Sequence, residues 1–142
     1  MNLTMNEAIQ LILCFRYIPI GYWKDIPIED SLVCQFIKEG YAELDAERQE
    51  KYVLSKKGAD FLHVYIKRIS TAFIEFIKKN RLCCFNNDGI CWFSGTYDLD
   101  NETAESLYDY ITYNLEVYGY KRRKIYQSED GWGYDFEKVV EE

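Results

Sequence analysis

The sequence predicts an α+β protein, and three features predict it. Apolar residues recur at helical spacing in four segments, which begin near residues 5, 28, 56 and 101. Short runs that alternate apolar and polar residues precede or follow these segments, as strands do. Two turns contain Asp-Gly, which tolerates the positive φ of a tight hairpin. We therefore expect four helices and several antiparallel hairpins.

Composition limits the size and the partners of the protein. The 142 residues, 48% of them hydrophobic, suffice for one ordinary domain or two small ones. Residues 1–80 carry 11 basic and 11 acidic side chains, whereas residues 81–142 carry 6 and 13, a net charge of −7. Because nucleic acids need a basic footprint, the acidic second half argues against broad electrostatic binding of DNA or RNA.

The first two helices have clear ends. Thr4 and Glu7 form a capping-box pattern before a helix over residues 8–18, which Pro19 and Gly21 end. Residues 19–27 are a connector. Apolar side chains on one face predict a second helix over residues 28–39, and Gly40 suits its left-handed cap.

A charged hairpin leads into the longest helix. Residues 41–45 and 51–55 alternate as two strands, and Ser55 is positioned to cap a helix over residues 56–79. A helix of this length, about 36 Å, is too long for residues 1–55 to cover alone. A heptad seam with spacings 4, 3, 4 and 3 predicts self-association through Leu62, Ile66, Ile69, Phe73 and Phe76.

Residues 36–41 read F-I-K-E-G-Y, and residues 52–62 read Y-V-L-S-K-K-G-A-D-F-L. This pattern resembles the winged helix-turn-helix regulators of the broad multiple-antibiotic-resistance and phenolic-acid-decarboxylase types, over about residues 5–80. The resemblance implies a recognition helix at 28–39 and a wing tip at 46–51. These families place a further helix before the recognition helix, but only residues 19–27 are available here. We therefore predict a reduced winged-helix module.

The implied DNA-reading surface carries mixed charges, including Glu29 and Asp30 on the recognition helix. Base readers usually direct Arg, Lys, Asn or Gln into the major groove. The side chains that suit such contacts are Gln35, Lys38, Arg48 and Lys51. Contact with a protein, or dimerisation, explains the remaining charges better.

The second half predicts a hairpin, a helix and another hairpin. Residues 82–85 and 90–93 flank Asn86-Asn87-Asp88-Gly89, a hairpin signal. Asp100 is positioned to cap a helix over residues 101–118, which Gly119 closes. A second hairpin joins residues 120–127 to 132–139 through a turn at 129–131. Residues 81–142 would thus form a small acidic antiparallel sheet with one helix.

A basic run in the last hairpin has two interpretations. With the aromatic residues around it, the run could bind single-stranded nucleic acid or phosphates. Alternatively it is a solvated edge strand whose charges prevent aggregation and offset the acidic helix 101–118. We favour the second, because charge runs are usually solvated and strand geometry sends two cations to each face. The residues are Lys121, Arg122, Arg123 and Lys124.

No catalytic, cofactor or metal site is predicted. The five cysteines are odd in number, and no secretory signal precedes them, so we expect reduced, packed thiols. Cys83 and Cys84 are adjacent and lack CxxC spacing, although one of them could approach Cys91 across the first predicted hairpin. His63, the single histidine, has no nucleophile motif beside it and is expected at the surface.

These features favour a non-enzymatic, cytoplasmic interaction protein. We expect a homodimer formed through the long helix, with the aromatic C-terminal face binding a protein partner. The alternative is a DNA-binding transcription regulator, and a third hypothesis is an acidic inhibitor that mimics nucleic acid. No membrane partner is expected, because no apolar run approaches the roughly 20 residues of a membrane span.

Overall fold

A computed structural model describes residues 1–15, 31–45, 52–127 and 131–139 of the chain. It is an α+β protein with small antiparallel sheets, as predicted. The chain divides into two compact units, residues 1–67 and 68–142. This division falls within the long helix, whereas the sequence places the boundary after residue 80.

Unit 1 contains helices α1 (Met5–Phe15) and α2 (Ser31–Lys38), strands β1 (Ala42–Leu44) and β2 (Tyr52–Leu54), and the first half of α3 (Lys56–Lys79). The capping box of α1 is confirmed, since the Thr4 N–H donates to Glu7 Oε1 at 2.9 Å and the Glu7 N–H donates to Thr4 Oγ1 at 3.1 Å. Gly40 ends α2 with a φ of +84°, also as predicted.

Ser55 joins the β1–β2 hairpin to α3. Its hydroxyl accepts the Gly58 N–H at 3.1 Å and donates to the Gly40 carbonyl at 2.7 Å, which confirms the predicted cap. Its own N–H donates to the Tyr41 carbonyl at 3.0 Å. A side chain at Gly58 would collide with that same carbonyl, so glycine is required where α3 starts against the hairpin.

Unit 2 contains the second half of α3, strand β3 (Cys83–Phe85), helices α4 (Asn86–Tyr97) and α5 (Asn101–Asn114), a 3₁₀ helix (Leu115–Tyr118), and strands β4 (Tyr120–Gln127) and β5 (Gly131–Lys138). The three strands are antiparallel in the order β3-β5-β4. Asp100 caps α5 by accepting the Thr103 N–H at 2.7 Å, and Gly119 follows the 3₁₀ helix with a φ of +93°. The predicted helix and second hairpin are therefore confirmed.

The first predicted hairpin of the second half is wrong. Asp88 and Gly89 lie in the first turn of α4 rather than in a β-turn, and β3 pairs with β5. A side chain at Gly89 would collide with the Tyr108 ring of α5 and come within 3.0 Å of the Cys84 sulfur. Gly89 thus allows close packing between α4 and α5. A tight turn also favours glycine, so the local sequence does not distinguish the two structures.

The heptad seam of α3 forms part of the core of the chain. Leu62, Ile69 and Phe73 are completely buried and Ile66 is almost so, while Phe76 is half-buried and stacks on Trp92 at 5.2 Å between ring centroids. Self-association through this seam would therefore require these side chains to leave the core. No helix of the described segments, α3 included, is both long and apolar enough to cross a membrane.

Candidate functional site

The β4–β5 hairpin places its even-numbered side chains on one face, the inner face, because side chains alternate along a strand. Pairing sets Arg122 opposite Phe136, Lys124 opposite Tyr134, and Tyr126 opposite Trp132. Phe136 and Tyr134 are buried, Trp132 is half-buried, and Tyr126 is 75% exposed. The inner face therefore runs from the core to solvent as it approaches the hairpin turn.

Arg122 is fixed on the inner face. Its Nη1 donates to Asp109 Oδ1 at 3.1 Å and to Thr112 Oγ1 at 3.0 Å, and its side chain is only 17% exposed. Its guanidinium carbon lies 4.6 Å from the ring centroid of Tyr134 and 5.3 Å from that of Tyr113. The charge of Arg122 is thus already matched inside the chain, and the residue ties the strand to α5.

Lys124 differs from Arg122. Its ammonium lies 4.7 Å from the ring centroid of Trp132 and 5.5 Å from that of Tyr126, and the residue is exposed. Within the described residues it has no carboxylate partner. We call Lys124, Tyr126 and Trp132 the aromatic–cation patch. It combines a free charge with two aromatic surfaces at the solvent end of the inner face.

The outer face of the hairpin carries the other two cations, which confirms the predicted alternation. Arg123 forms a two-bond pair with Asp135, with Nε–Oδ1 at 3.1 Å and Nη2–Oδ2 at 2.6 Å. The hydrogen bonds and charge of Asp135 raise the pKa of Arg123. Lys121 is exposed and, in the described part of the chain, has no ion-pair partner. Among the described residues, each face therefore holds one arginine in an ion pair and one lysine without an ion pair.

A groove of about 590 Å³ lies beside β3 and α4. Its walls are Phe76, Asn80, Cys83, Cys84, Phe85, Asp88, Cys91 and Trp92. Burial raises the pKa of the Cys84 thiol to about 12, and burial together with the charge of Asp135 raises the pKa of Cys83. These two thiols are protonated at neutral pH and are poor nucleophiles.

Neither chemistry that the cysteines could support is assembled in the described residues. Cys83, Cys84 and Cys91 are free thiols, and Cys91 lies on α4 rather than on a strand facing Cys83 or Cys84. No group of three or more His, Cys, Asp or Glu side chains in those segments is arranged to hold a metal ion. His63 is exposed on α3, as predicted.

The residues predicted for DNA contact are only partly described. Gln35 and Lys38 lie one turn apart on α2 and are both exposed. Arg48 and Lys51 lie outside the described residues, as do positions 28–30 of the predicted recognition helix. The structure therefore brings two of the four predicted contacts onto one helix face.

Sequence reasoning missed the residues of α5 that hold Arg122. Asp109, Thr112 and Tyr113 are spaced i, i+3 and i+4, so they share a face of the predicted helix. These three polar side chains lie beside the apolar face of the helix. Their grouping was a signal that a charged side chain from another element packs against α5. The sequence predicted that the basic strand offsets the acidic helix, and the Arg122–Asp109 pair confirms this.

No protein-family model matches the chain, and comparisons with curated proteins and with solved structures give no match either.

Proposed function

We propose that the protein is a non-enzymatic interaction protein that binds a protein partner through the aromatic–cation patch. The observation that carries the proposal is the 75% exposure of Tyr126 beside the half-buried ring of Trp132 and the ammonium of Lys124, which has no carboxylate partner among the described residues. Tyrosine and tryptophan are enriched among the residues that dominate the binding energy of protein interfaces.

The base of the patch favours tight binding. Tyr134 and Phe136 anchor the inner face in the core, and Arg122 ties β4 to Asp109 and Thr112. An aromatic side chain on such a support loses little conformational freedom when a partner binds. The patch is therefore organised before binding.

The charges favour a protein over a nucleic acid as the partner. Residues 81–142 have a net charge of −7, so this half of the chain repels phosphates overall. Two of the four cations of β4, Arg122 and Arg123, are already paired with carboxylates of the same chain. The two free lysines are too few for phosphate neutralisation along a strand of nucleic acid.

Paired variants test the proposal by affinity capture from cells of the native host. Tyr126 and Val117 are exposed to the same degree, 75% and 76%, in the same unit. We expect Tyr126→Ser or Lys124→Glu to abolish capture of a partner that the wild type and Val117→Ser both retain. Identical captured proteins for all four chains would remove the patch from consideration.

A DNA-binding regulator is the second candidate, and the exposure of Gln35 and Lys38 on α2 favours it. Among the described residues, unit 1 has the order helix, helix, hairpin, helix, which is the order of the reduced winged-helix module predicted from the sequence. Under this hypothesis DNA affinity falls steeply with salt, and Lys38→Ala reduces the salt slope by about 1. An absence of binding at low salt would exclude the regulator, and Lys67→Ala, an exposed lysine on α3, is the control.

Self-association is retained as a proposal without the seam. Any dimer would use a surface other than the buried face of α3, and Val64, 54% exposed on that helix, is the apolar side chain to test. Sedimentation equilibrium of the wild type and of Val64→Asp provides the test. A monomeric mass for the wild type at all concentrations would rule out the dimer.

A further inference from the structure

Strand β4 is the long open edge of the unit 2 sheet. The strand order β3-β5-β4 leaves β4, with eight residues, at one edge and β3, with three, at the other. In the part of the chain that the structure describes, no strand pairs with the outer side of β4. Such an edge exposes backbone donors and acceptors that can pair with another chain.

The hydrogen-bond pattern identifies the backbone groups at this edge. The Phe136 N–H donates to the Leu82 carbonyl at 2.8 Å, so Phe136 turns its backbone toward the β3 side of the sheet. Its cross-strand partner Arg122 is therefore in a non-hydrogen-bonded pair, and its own N–H and C=O point away from β5. By alternation, the outward residues are Tyr120, Arg122, Lys124 and Tyr126.

The charges of β4 select the occupant of this edge. A second copy of β4 paired antiparallel would set cations of Lys121–Lys124 opposite cations, and directly opposed like charges destabilise a pair of strands. Glu137 lies opposite Lys121 but forms no ion pair with it in the described residues, and Asp135 is paired with Arg123. At physiological ionic strength the screening length is about 8 Å, so the lysines of β4 outweigh carboxylates that lie farther away than this. An acidic strand complements the positive charges of β4, whereas a second copy of β4 would repel them.

We propose that the open edge of β4 accepts an extended, acidic segment of a protein partner as a fourth strand of the sheet. Backbone hydrogen bonds to the outward residues supply affinity, as in other cases of strand addition. The free ammonium groups of Lys124 on the inner face and Lys121 on the outer face attract carboxylates on both faces of the incoming segment. Tyr126 packs against one of its side chains.

This inference rests on the proposed function, because it specifies the partner of the same hairpin. The probe is an eight-residue peptide that has β-branched residues and glutamates on both faces, matched in length to β4. Its control has the same side chains but methyl groups on alternate backbone nitrogens, which removes hydrogen-bond donors and leaves the charge unchanged. Both peptides are added to the full chain.

Amide hydrogen exchange, resolved by NMR, is the measurement. At a peptide concentration ten times the Kd, we expect the amides of Arg122 and Lys124 to exchange about tenfold more slowly. The amide of Arg123, which faces β5, serves as the internal control and should not change. A Lys121→Glu/Lys124→Glu variant, altered only at exposed positions, should lose this protection and retain the circular dichroism of the wild type.

Three results would overturn the inference: unchanged exchange at Arg122 and Lys124, equal binding of the methylated peptide, or protection of these amides by dimerisation without peptide. The last would assign the edge to a second copy of the chain. If the acidic peptide fails but Tyr126→Ser still abolishes partner capture, the strand-addition inference fails and the proposed function stands. If capture also survives Tyr126→Ser, both fail.

Discussion

Two hairpins of the described residues, β1–β2 and β4–β5, are both antiparallel pairs, but different interactions stabilise them. The strands of β1–β2 have three residues each, and their side chains Leu44 and Val53 are 53% and 39% exposed. The strands of β4–β5 have eight residues each, and Tyr134 and Phe136 are buried. Side-chain burial therefore stabilises the long hairpin. The short hairpin is positioned by the hydrogen bonds that Ser55 makes with Gly40 and Tyr41.

This difference bears on function. The long hairpin is anchored at one end of its inner face and exposes aromatic side chains at the other, so it can present a rigid surface to a partner. The described part of the short hairpin buries Ala42 and offers solvent mainly polar or isolated apolar side chains. Isolated exposed apolar residues are common on protein surfaces and do not indicate an interface.

The largest expected effect comes from removing the anchor of the long hairpin. Phe136→Ala should lower the free energy of unfolding by about 3–5 kcal/mol, because it leaves a cavity in the core of unit 2. Val53→Ala in the short hairpin should change it by less than about 0.5 kcal/mol. Urea denaturation followed by circular dichroism gives both values. Equal losses would contradict the distinction between the two hairpins.

A second test concerns α4, the helix that follows β3. Strand β3 pairs with β5 of the long hairpin. Gly89→Ala should destabilise the protein by about 1–3 kcal/mol, because the added methyl group collides with the Tyr108 ring. Gly95→Ala, on the same helix, meets no atom within 4 Å and should stabilise it by about 0.5–1 kcal/mol. Thermal unfolding of the two variants measures the difference. Opposite signs are expected, and equal effects would show that α4 does not pack as described.

Gly89 also shows where the sequence ceased to be sufficient. In unit 1 the signals that predict the helix ends are local. The Thr4–Glu7 capping box, the Gly40 cap and the bond between Ser55 and the Gly58 N–H each depend on residues within a few positions. The described elements of unit 1 agree with the prediction. At Gly89 two readings, a hairpin turn and a close helix contact, need the same residue. The deciding contact is with Tyr108, 19 positions along the chain, and the pairing of β3 with β5 is more distant still.

The candidate site was predictable to a similar depth. Alternation along a strand correctly assigned two cations of β4 to each face, since it depends only on the period of two residues. Which cations are free could not be predicted, because the partners of Arg122 and Arg123 lie on α5 and β5. For the same reason the burial of the α3 seam could not be predicted. Periodicity identifies an apolar face but not what covers it.

A third prediction concerns Cys84 of β3, which lies opposite Tyr134 of the long hairpin. Burial raises the pKa of its thiol from 9.0 to about 12 in the folded chain. Between these two values the unfolded thiol has lost a proton that the folded one keeps, so stability falls as pH rises, by about 1.4 kcal/mol per pH unit. Well below pH 9 the thiol is protonated in both the folded and the unfolded chain, so it does not make stability depend on pH.

Cys84→Ala removes the titrating group, so the alkaline decline should become less steep by that amount per pH unit. Denaturation curves at pH 7, 10 and 11 for both chains give the slopes, and the pH 7 values subtract the packing cost of the substitution. The other tyrosines titrate in both chains and cancel in the comparison. The pKa of Tyr108, which contacts Cys84, is raised mainly by burial, and the substitution leaves this burial in place. Parallel slopes would show that Cys84 is accessible to water in the folded chain, and that the long hairpin is less closely packed on β3.

The smallest expected effect tests how the short hairpin is held. Ser55→Ala removes the hydroxyl that accepts the Gly58 N–H and donates to the Gly40 carbonyl, and should cost about 1 kcal/mol. Ser55→Thr keeps a hydroxyl and should recover most of the loss. Val53→Ala deletes more apolar surface from the same hairpin, yet we expect it to cost less than Ser55→Ala. Urea denaturation could instead give the larger loss for Val53→Ala. The hydrogen bonds of Ser55 would then contribute less than the two methyl groups removed from Val53. Side-chain packing would in that case stabilise the short hairpin as it does the long one.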